Sequence, residues 1–115
     1  MNCRRGDVVL VFFPDSNLRT SKRRPALVVQ ADGLDARLPP TIVALITSNM
    51  ARAGHPSRVI VRVGSGSERA SGLLMDSVIM TDNLATVHYS EIDSVIGTFT
   101  GMNEIDAALR ATLGL

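Results

Sequence analysis

The chain has 115 residues, 45% of them apolar, which fits one domain spanning residues 1–115 around one hydrophobic core and excludes two. With three Phe, one Tyr and no Trp, that core is built from aliphatic side chains. A single cysteine, Cys3, excludes an internal disulfide, and no apolar run reaches the ~20 residues that span a bilayer or has the form of a signal peptide, so the expected location is the cytoplasm, with no membrane partner.

The net charge of +1 hides an uneven distribution. Residues 1–69 carry Lys22 and ten Arg against five acids, whereas residues 70–115 carry Arg110 against six acids. Arg dominates the cations, and its planar fork binds phosphate oxygens in pairs. A phosphate-bearing partner fits that choice, although a solvated basic surface fits the charge pattern equally well.

In chain order, Val8 to Phe13 is a β-branched and aromatic run that stops at Pro14, and reads as a strand. A loop with Arg19, Lys22, Arg23 and Arg24 follows, and beyond Pro25 the segment Ala26 to Gln30 reads as a second, buried strand. Thr41 to Thr47 is a third strand. Ser57 to Val63 is a fourth, with Val59, Val61 and Val63 on one face and Arg58 and Arg62 on the other. Gly64 to Arg69 is a turn. Leu73 to Met75 and Ser77 to Met80 read as short strands able to join through a bulge, with Leu84 to Val87 and Val95 to Phe99 as further strands. Asn103 suits an N-cap, and Ile105, Ala108, Leu109 and Thr112 recur at helical spacing before Gly114. Several short strands closed by one C-terminal α-helix predict a mainly β protein, a compact β-barrel with helical decoration.

The inventory of chemical groups narrows the function. His55 and His88 lie far apart, with only Glu91 near either, so neither a metal site nor any other cofactor is expected. His55 in its Gly-His-Pro loop and His88 beside Tyr89 read as surface residues. There is no Gly-x-Ser-x-Gly elbow and no phosphate-cradling glycine loop that opens a helix. What remains is the basic stretch ending in Arg24, followed by a strand that ends Thr47-Ser48-Asn49. These are donors rather than bases. A guanidinium and a hydroxyl at neighbouring strand ends are able to clamp the oxygens of a phosphodiester, and RNA supplies its own nucleophile, the 2′-OH. Read locally, Arg24 is also an ordinary surface cation and Thr47 an ordinary β-branched strand residue.

Arg5-Gly6-Asp7-Val8-Val9, Pro14, Arg24-Pro25-Ala26-Leu27-Val28-Val29-Gln30, Ile46-Thr47-Ser48 and Asp76-Ser77-Val78-Ile79 resemble, in order and spacing, the MazF/PemK endoribonuclease toxins. The likeness covers nearly the whole chain. It implies an SH3-like barrel, a homodimer, and a toxin that cuts single-stranded RNA at short sequences to a 2′,3′-cyclic phosphate without a metal and is blocked by a cognate antitoxin. By the same resemblance Arg24 and Thr47 are the catalytic pair, and Asp76 matches an aspartate that some members use in catalysis or RNA contact, although an Asp before Ser77 equally suits a turn cap. Arg19, Lys22 and Arg23 are then phosphate-steering charges, and Ser48, Asn49 and Ser77 further RNA contacts.

Two departures bear on activity. Asn17-Leu18-Arg19-Thr20 stands where the family often has Gly-Ser/His-Glu-Gln, so Arg19 replaces a candidate general base and the role passes to Asp15, Asp76 or water. Ala85 stands where an Arg is usual. The alternatives are a non-catalytic nucleic-acid-binding module or a CcdB-like gyrase poison of the same fold, the latter disfavoured because the chain has no Trp near its C-terminus. An acidic partner segment is expected to cover the basic groove.

Overall fold

The computed structural model describes residues 3–14, 21–34, 40–64 and 67–115. Among these residues six strands, β1 (Asp7–Pro14), β2 (Ser21–Val28), β3 (Pro40–Thr47), β4 (Arg58–Val61), β5 (Ser77–His88) and β6 (Ile92–Thr98), precede one α-helix, α1 (Met102–Leu113). They form a single antiparallel sheet in the order β4-β5-β3-β2-β1-β6.

The near-continuous apolar run of β1 is explained by burial on both of its faces. Val8, Val9 and Val11 are all fully buried, but Val8 belongs to one apolar cluster and Val9 and Val11 to another. The first cluster collects Val8, Leu27, Ala44, Ile46, Val59, Val61 and Ile79 from five strands, packs Ile96 of β6 against them, and is capped by Ile105 and Ala108 of α1. Side chains from every strand of an open order meeting in one cluster is what a sheet rolled into a barrel produces. The second cluster, Val9, Val11, Ala26, Val28, Val43, Val87 and Ile92, lies on the opposite face.

Glycines permit the roll. The segment Ser67–Ser71 is a 3-10 turn, and Gly72, just after it, has φ +74 and lies so close to β6 that a Cβ would come 2.1 Å from the Ile96 carbonyl oxygen. Reciprocally, a Cβ on Gly97 would stand 2.3 Å from the Ala70 carbonyl oxygen. Two backbones crossing at this separation need glycine on both sides.

The structure corrects four sequence expectations. Lys22, Arg23 and Arg24 lie within β2 rather than in a loop, paired opposite Phe13, Phe12 and Val11. Pro25 suggested a boundary because it donates no ladder bond. It is tolerated because the β2–β3 ladder has its last pair at Ala26↔Leu45, which leaves β2 with an open edge there. Leu73 to Met75 is not a strand, and Leu74 and Met75 are exposed. Ser77 to Met80 and Leu84 to Val87 are instead one strand. Its irregularity falls at Thr81–Asn83, since Ala44 pairs with Leu84 while Leu45 pairs with Met80. There the buried Thr81 turns its backbone N–H and hydroxyl to the Ser57 carbonyl. Finally, Gly101 rather than Asn103 is the N-cap of α1, since its carbonyl accepts the Glu104 N–H at 3.0 Å and so opens the helix; the position is glycine because the Phe99 ring occupies the space a Cβ would need. No helix among the described residues is long and apolar enough to cross a membrane.

Candidate active site

The ladder between β2 and β3 runs Val28↔Val43, Leu27↔Ala44, Ala26↔Leu45 and then stops. Extending that register by two residues brings Arg24 opposite Thr47. Strand alternation puts both on the face of Ala26, Val28, Val43 and Leu45, the face of the second apolar cluster. Beyond the last pair the sheet opens into a cavity of about 670 Å³, lined among others by Arg23, Arg24, Thr47, Ser48 and Ser77.

Two strands therefore deliver the donors from fixed backbone. Arg24 is exposed, and none of the ion pairs among the described residues engages it. Arg23 is held differently, with Nη1 at 3.3 Å from Asp93 Oδ2 on β6. Thr47, half-buried at the end of β3, accepts the Asn49 backbone N–H on its Oγ1 at 3.1 Å. A hydroxyl has two acceptor lone pairs and one donor hydrogen, so this bond orients the oxygen while leaving its O–H available for an oxyanion. Asn49 in turn caps the 3-10 turn Met50–Arg52 by accepting the Ala51 N–H.

The other wall of the cavity is apolar. Leu73, Leu74 and Met75 lie over it from the segment before β5, with Leu10, Leu45, Met80 and Ile96 beneath. Leu74 is 93% exposed and Met75 57%, so the rim of this wall is an exposed pair of adjacent apolar side chains beside the cavity. Past Thr47 a smaller hollow of about 340 Å³ continues the groove between Arg52, Arg58, Asp82 and Asn83. There Arg58 Nη2 lies 2.9 Å from Asp82 Oδ2, and this guanidinium contact holds the Asp82 carboxyl below the usual carboxylate range.

Of the residues nominated from sequence, the cavity thus unites Arg23, Arg24, Thr47, Ser48 and Ser77. Lys22 is exposed on β2, and Asn49 serves as the cap just described; neither lines the cavity. Asp76 does not line it either, since its carboxylate bonds the Val63 N–H at 3.0 Å and faces Arg62 at 3.4 Å. Arg19, together with Asp15 and Asn17 to Thr20, lies outside the described residues. The apolar wall at Leu73–Met75 and the contribution of Asn83 were missed. Gly97 within an otherwise apolar run was the one signal that another backbone passes close by.

A family profile for the PemK-like, MazF-like toxin of type II toxin-antitoxin systems matches residues 4–113. Endoribonuclease MazF6 of Mycobacterium tuberculosis is 34% identical over 105 residues, covering 89% of this chain and 88% of its own. The probable endoribonuclease MazF of Mycolicibacterium smegmatis is 31% identical over 114 residues, 97% of each. Among solved structures, an endoribonuclease in complex with its cognate antitoxin from a Mycobacterial species has a TM-score of 0.76 at 22% identity, covering 99% of this chain and 97% of that one. MazF (Form-I) from Deinococcus radiodurans has a TM-score of 0.72 at 20% identity, covering 100% and 99%. At these identities the structural likeness speaks for the fold alone. The profile match and the identity to the mycobacterial relatives decide the family: this chain belongs to the PemK-like, MazF-like toxins of type II toxin-antitoxin systems.

Proposed function

We propose that the protein is an endoribonuclease that cuts single-stranded RNA at short sequences, acting as an mRNA interferase toxin in the cytoplasm. The observation that carries this reading is that Arg24 and Thr47, from neighbouring strands, line one open cavity, with the arginine unengaged by any described acid. The names of the relatives, endoribonucleases of the MazF type, support the same chemistry.

In the reaction the 2′-OH of the nucleotide on the 5′ side attacks the scissile phosphorus. An O2′–P bond forms and the P–O5′ bond breaks, leaving a 2′,3′-cyclic phosphate on one fragment and an alkoxide that takes a proton to become a 5′-OH on the other. The proton of the 2′-OH passes to water. Arg24 holds two phosphoryl oxygens with its fork, and the Thr47 hydroxyl donates to an oxygen that gains charge in the phosphorane. Nucleophile, charge compensation and alignment all come from substrate and side chains, so the reaction proceeds without a metal. Arg23 steers the strand as a phosphate-binding charge and the exposed Ser48 offers a further polar contact, while Ser77, buried with its hydroxyl donated to the Met75 carbonyl oxygen, keeps only its oxygen lone pairs for the substrate. A cognate antitoxin with an acidic segment would compete for the same charges, and two copies of the chain would form the working homodimer.

The test is cleavage of a mixed RNA by purified protein in EDTA, with product ends identified. Arg24→Ala is expected to lose on the order of 100-fold or more in rate, the usual loss when one oxyanion donor is removed, with the fold intact. Full activity in that variant overturns the site. RNA binding without any cleavage by the wild type overturns the enzymatic reading in favour of a binding module.

A further inference from the structure

Between β4 and β5 the chain leaves the sheet, and this excursion brings Gly72, Leu73, Leu74 and Met75 to the cavity. Its far end is braced where Ala70–Gly72 crosses β6 at Ile96 and Gly97. Its two ends are joined by Asp76. The last ladder pair between β4 and β5 is Val61↔Ser77. Just beyond it, Asp76 Oδ1 accepts the Val63 backbone N–H at 3.0 Å, and Oδ2 faces Arg62 Nη1 at 3.4 Å. The side chain of the excursion's last residue thus binds the backbone near its first, closing it as one further rung of the ladder.

Two facts set Asp76 apart from a general base. Its neighbours Met75 and Ser77 line the cavity while Asp76 does not, and both of its oxygens are occupied on the side of Val63 and Arg62. A base must come within hydrogen-bond reach of the proton it removes, directly or through one water. The ion pair with Arg62 is also the lesser of the two bonds, because its partners are 41% and 62% exposed and such pairs contribute little. What holds is the bond to the part-buried Val63 N–H, for which any carbonyl oxygen in that place would serve.

We propose that Asp76 is a positioning residue for RNA cleavage: its carboxylate clasps the two ends of the excursion and so fixes the Leu73–Met75 wall opposite Arg24 and Thr47. The inference rests on the nuclease reading above, and its test separates the two.

Asp76→Asn keeps an oxygen for the Val63 N–H and removes the charge; Asp76→Ala removes both. Single-turnover cleavage is followed against RNA concentration and pH in EDTA, and exchange of the Val63 amide is followed by NMR on the same proteins without RNA. The clasp predicts that Asp76→Asn keeps the wild-type rate at saturating RNA, the wild-type pH profile and a protected Val63 amide. Asp76→Ala, folded by circular dichroism, exposes that amide and needs about tenfold more RNA for half-saturation, as expected when a binding wall is displaced. A loss of about 100-fold or more in saturated rate for Asp76→Asn, with normal half-saturation and one limb of the pH profile gone, is the signature of a lost base and overturns the proposal. So does an Asp76→Ala protein that matches wild type in both assays. Should the wild type cleave no RNA, the nuclease reading fails, while Val63 exchange still decides whether the clasp exists.

Discussion

Replacing Thr47 by Val isolates the hydroxyl from the shape of the residue. The variant keeps a β-branched side chain at the end of β3 and loses one hydrogen bond, that from the Asn49 N–H at 3.1 Å. Because Asn49 is exposed, water replaces the lost acceptor, and the stability cost is that of one ordinary hydrogen bond, about 1 kcal/mol. A domain of ordinary stability, about 5–15 kcal/mol, remains folded after such a loss. The catalytic cost is on another scale, because one donor to a developing oxyanion is worth about 3 kcal/mol, or on the order of 100-fold in rate. Thr47→Ser, which restores the O–H, should recover most of it. The more demanding measurement is a double-mutant cycle with Arg24→Ala in a single-turnover RNA cleavage assay. If both groups act on one phosphorus, the double variant loses less than the sum of the single losses, by a coupling of about 0.5–3 kcal/mol. Cleavage by Thr47→Val close to the wild-type rate, or strictly additive losses, would refute the claim that guanidinium and hydroxyl converge on the substrate.

Gly97→Ala should destabilise the protein by about 1–3 kcal/mol or more, because the new Cβ meets the Ala70 and Ser71 backbone, which has no rotamer by which to move away. Urea unfolding measures this, and cleavage should fall even where the variant is folded, since the same segment carries the Leu73–Met75 wall. Asp82 bears on acid stability. Its carboxyl is lowered by the Arg58 hydrogen bond, so below the unfolded carboxyl's pKa of about 3.9 the unfolded chain binds more protons than the native one and stability falls with falling pH. Asp82→Asn should therefore be less stable than wild type near neutral pH and lose stability less steeply in that acid window, as read from denaturant unfolding at a series of pH values; an unchanged acid limb would argue that the Arg58 contact does not form in solution.

Much of the site was legible because strands carry their own periodicity. Alternation around Val59 and Val61 marked β4 before any contact was known, and the apolar run at Val8 marked a strand, whose burial on both faces only the structure shows. Arg24 and Thr47 are locally an ordinary surface cation and an ordinary strand residue, and it is the family resemblance that singles them out; in the fold they line one cavity. The opposite wall was not legible. Leu73 to Met75 has the composition of a strand, yet no strand among the described residues pairs with it, and its place depends on Gly72 and Gly97 letting distant backbones touch. Asp76 matched a family aspartate at the right position in the chain, but sequence says nothing about which way a carboxylate at the edge of a ladder turns.

From residues alone follow the aliphatic core, the approximate place of β1, β3 and β4, and a stock of phosphate-binding donors, since each depends on chain-local patterns of period two and on the chemistry of single side chains. Only the tertiary structure decides that the β2–β3 ladder parts just before Arg24 and Thr47, that the wall stands across from them, and that Asp76 faces Val63. Those outcomes are set where segments remote in sequence pack against each other at atomic separation, and no local pattern encodes that fit.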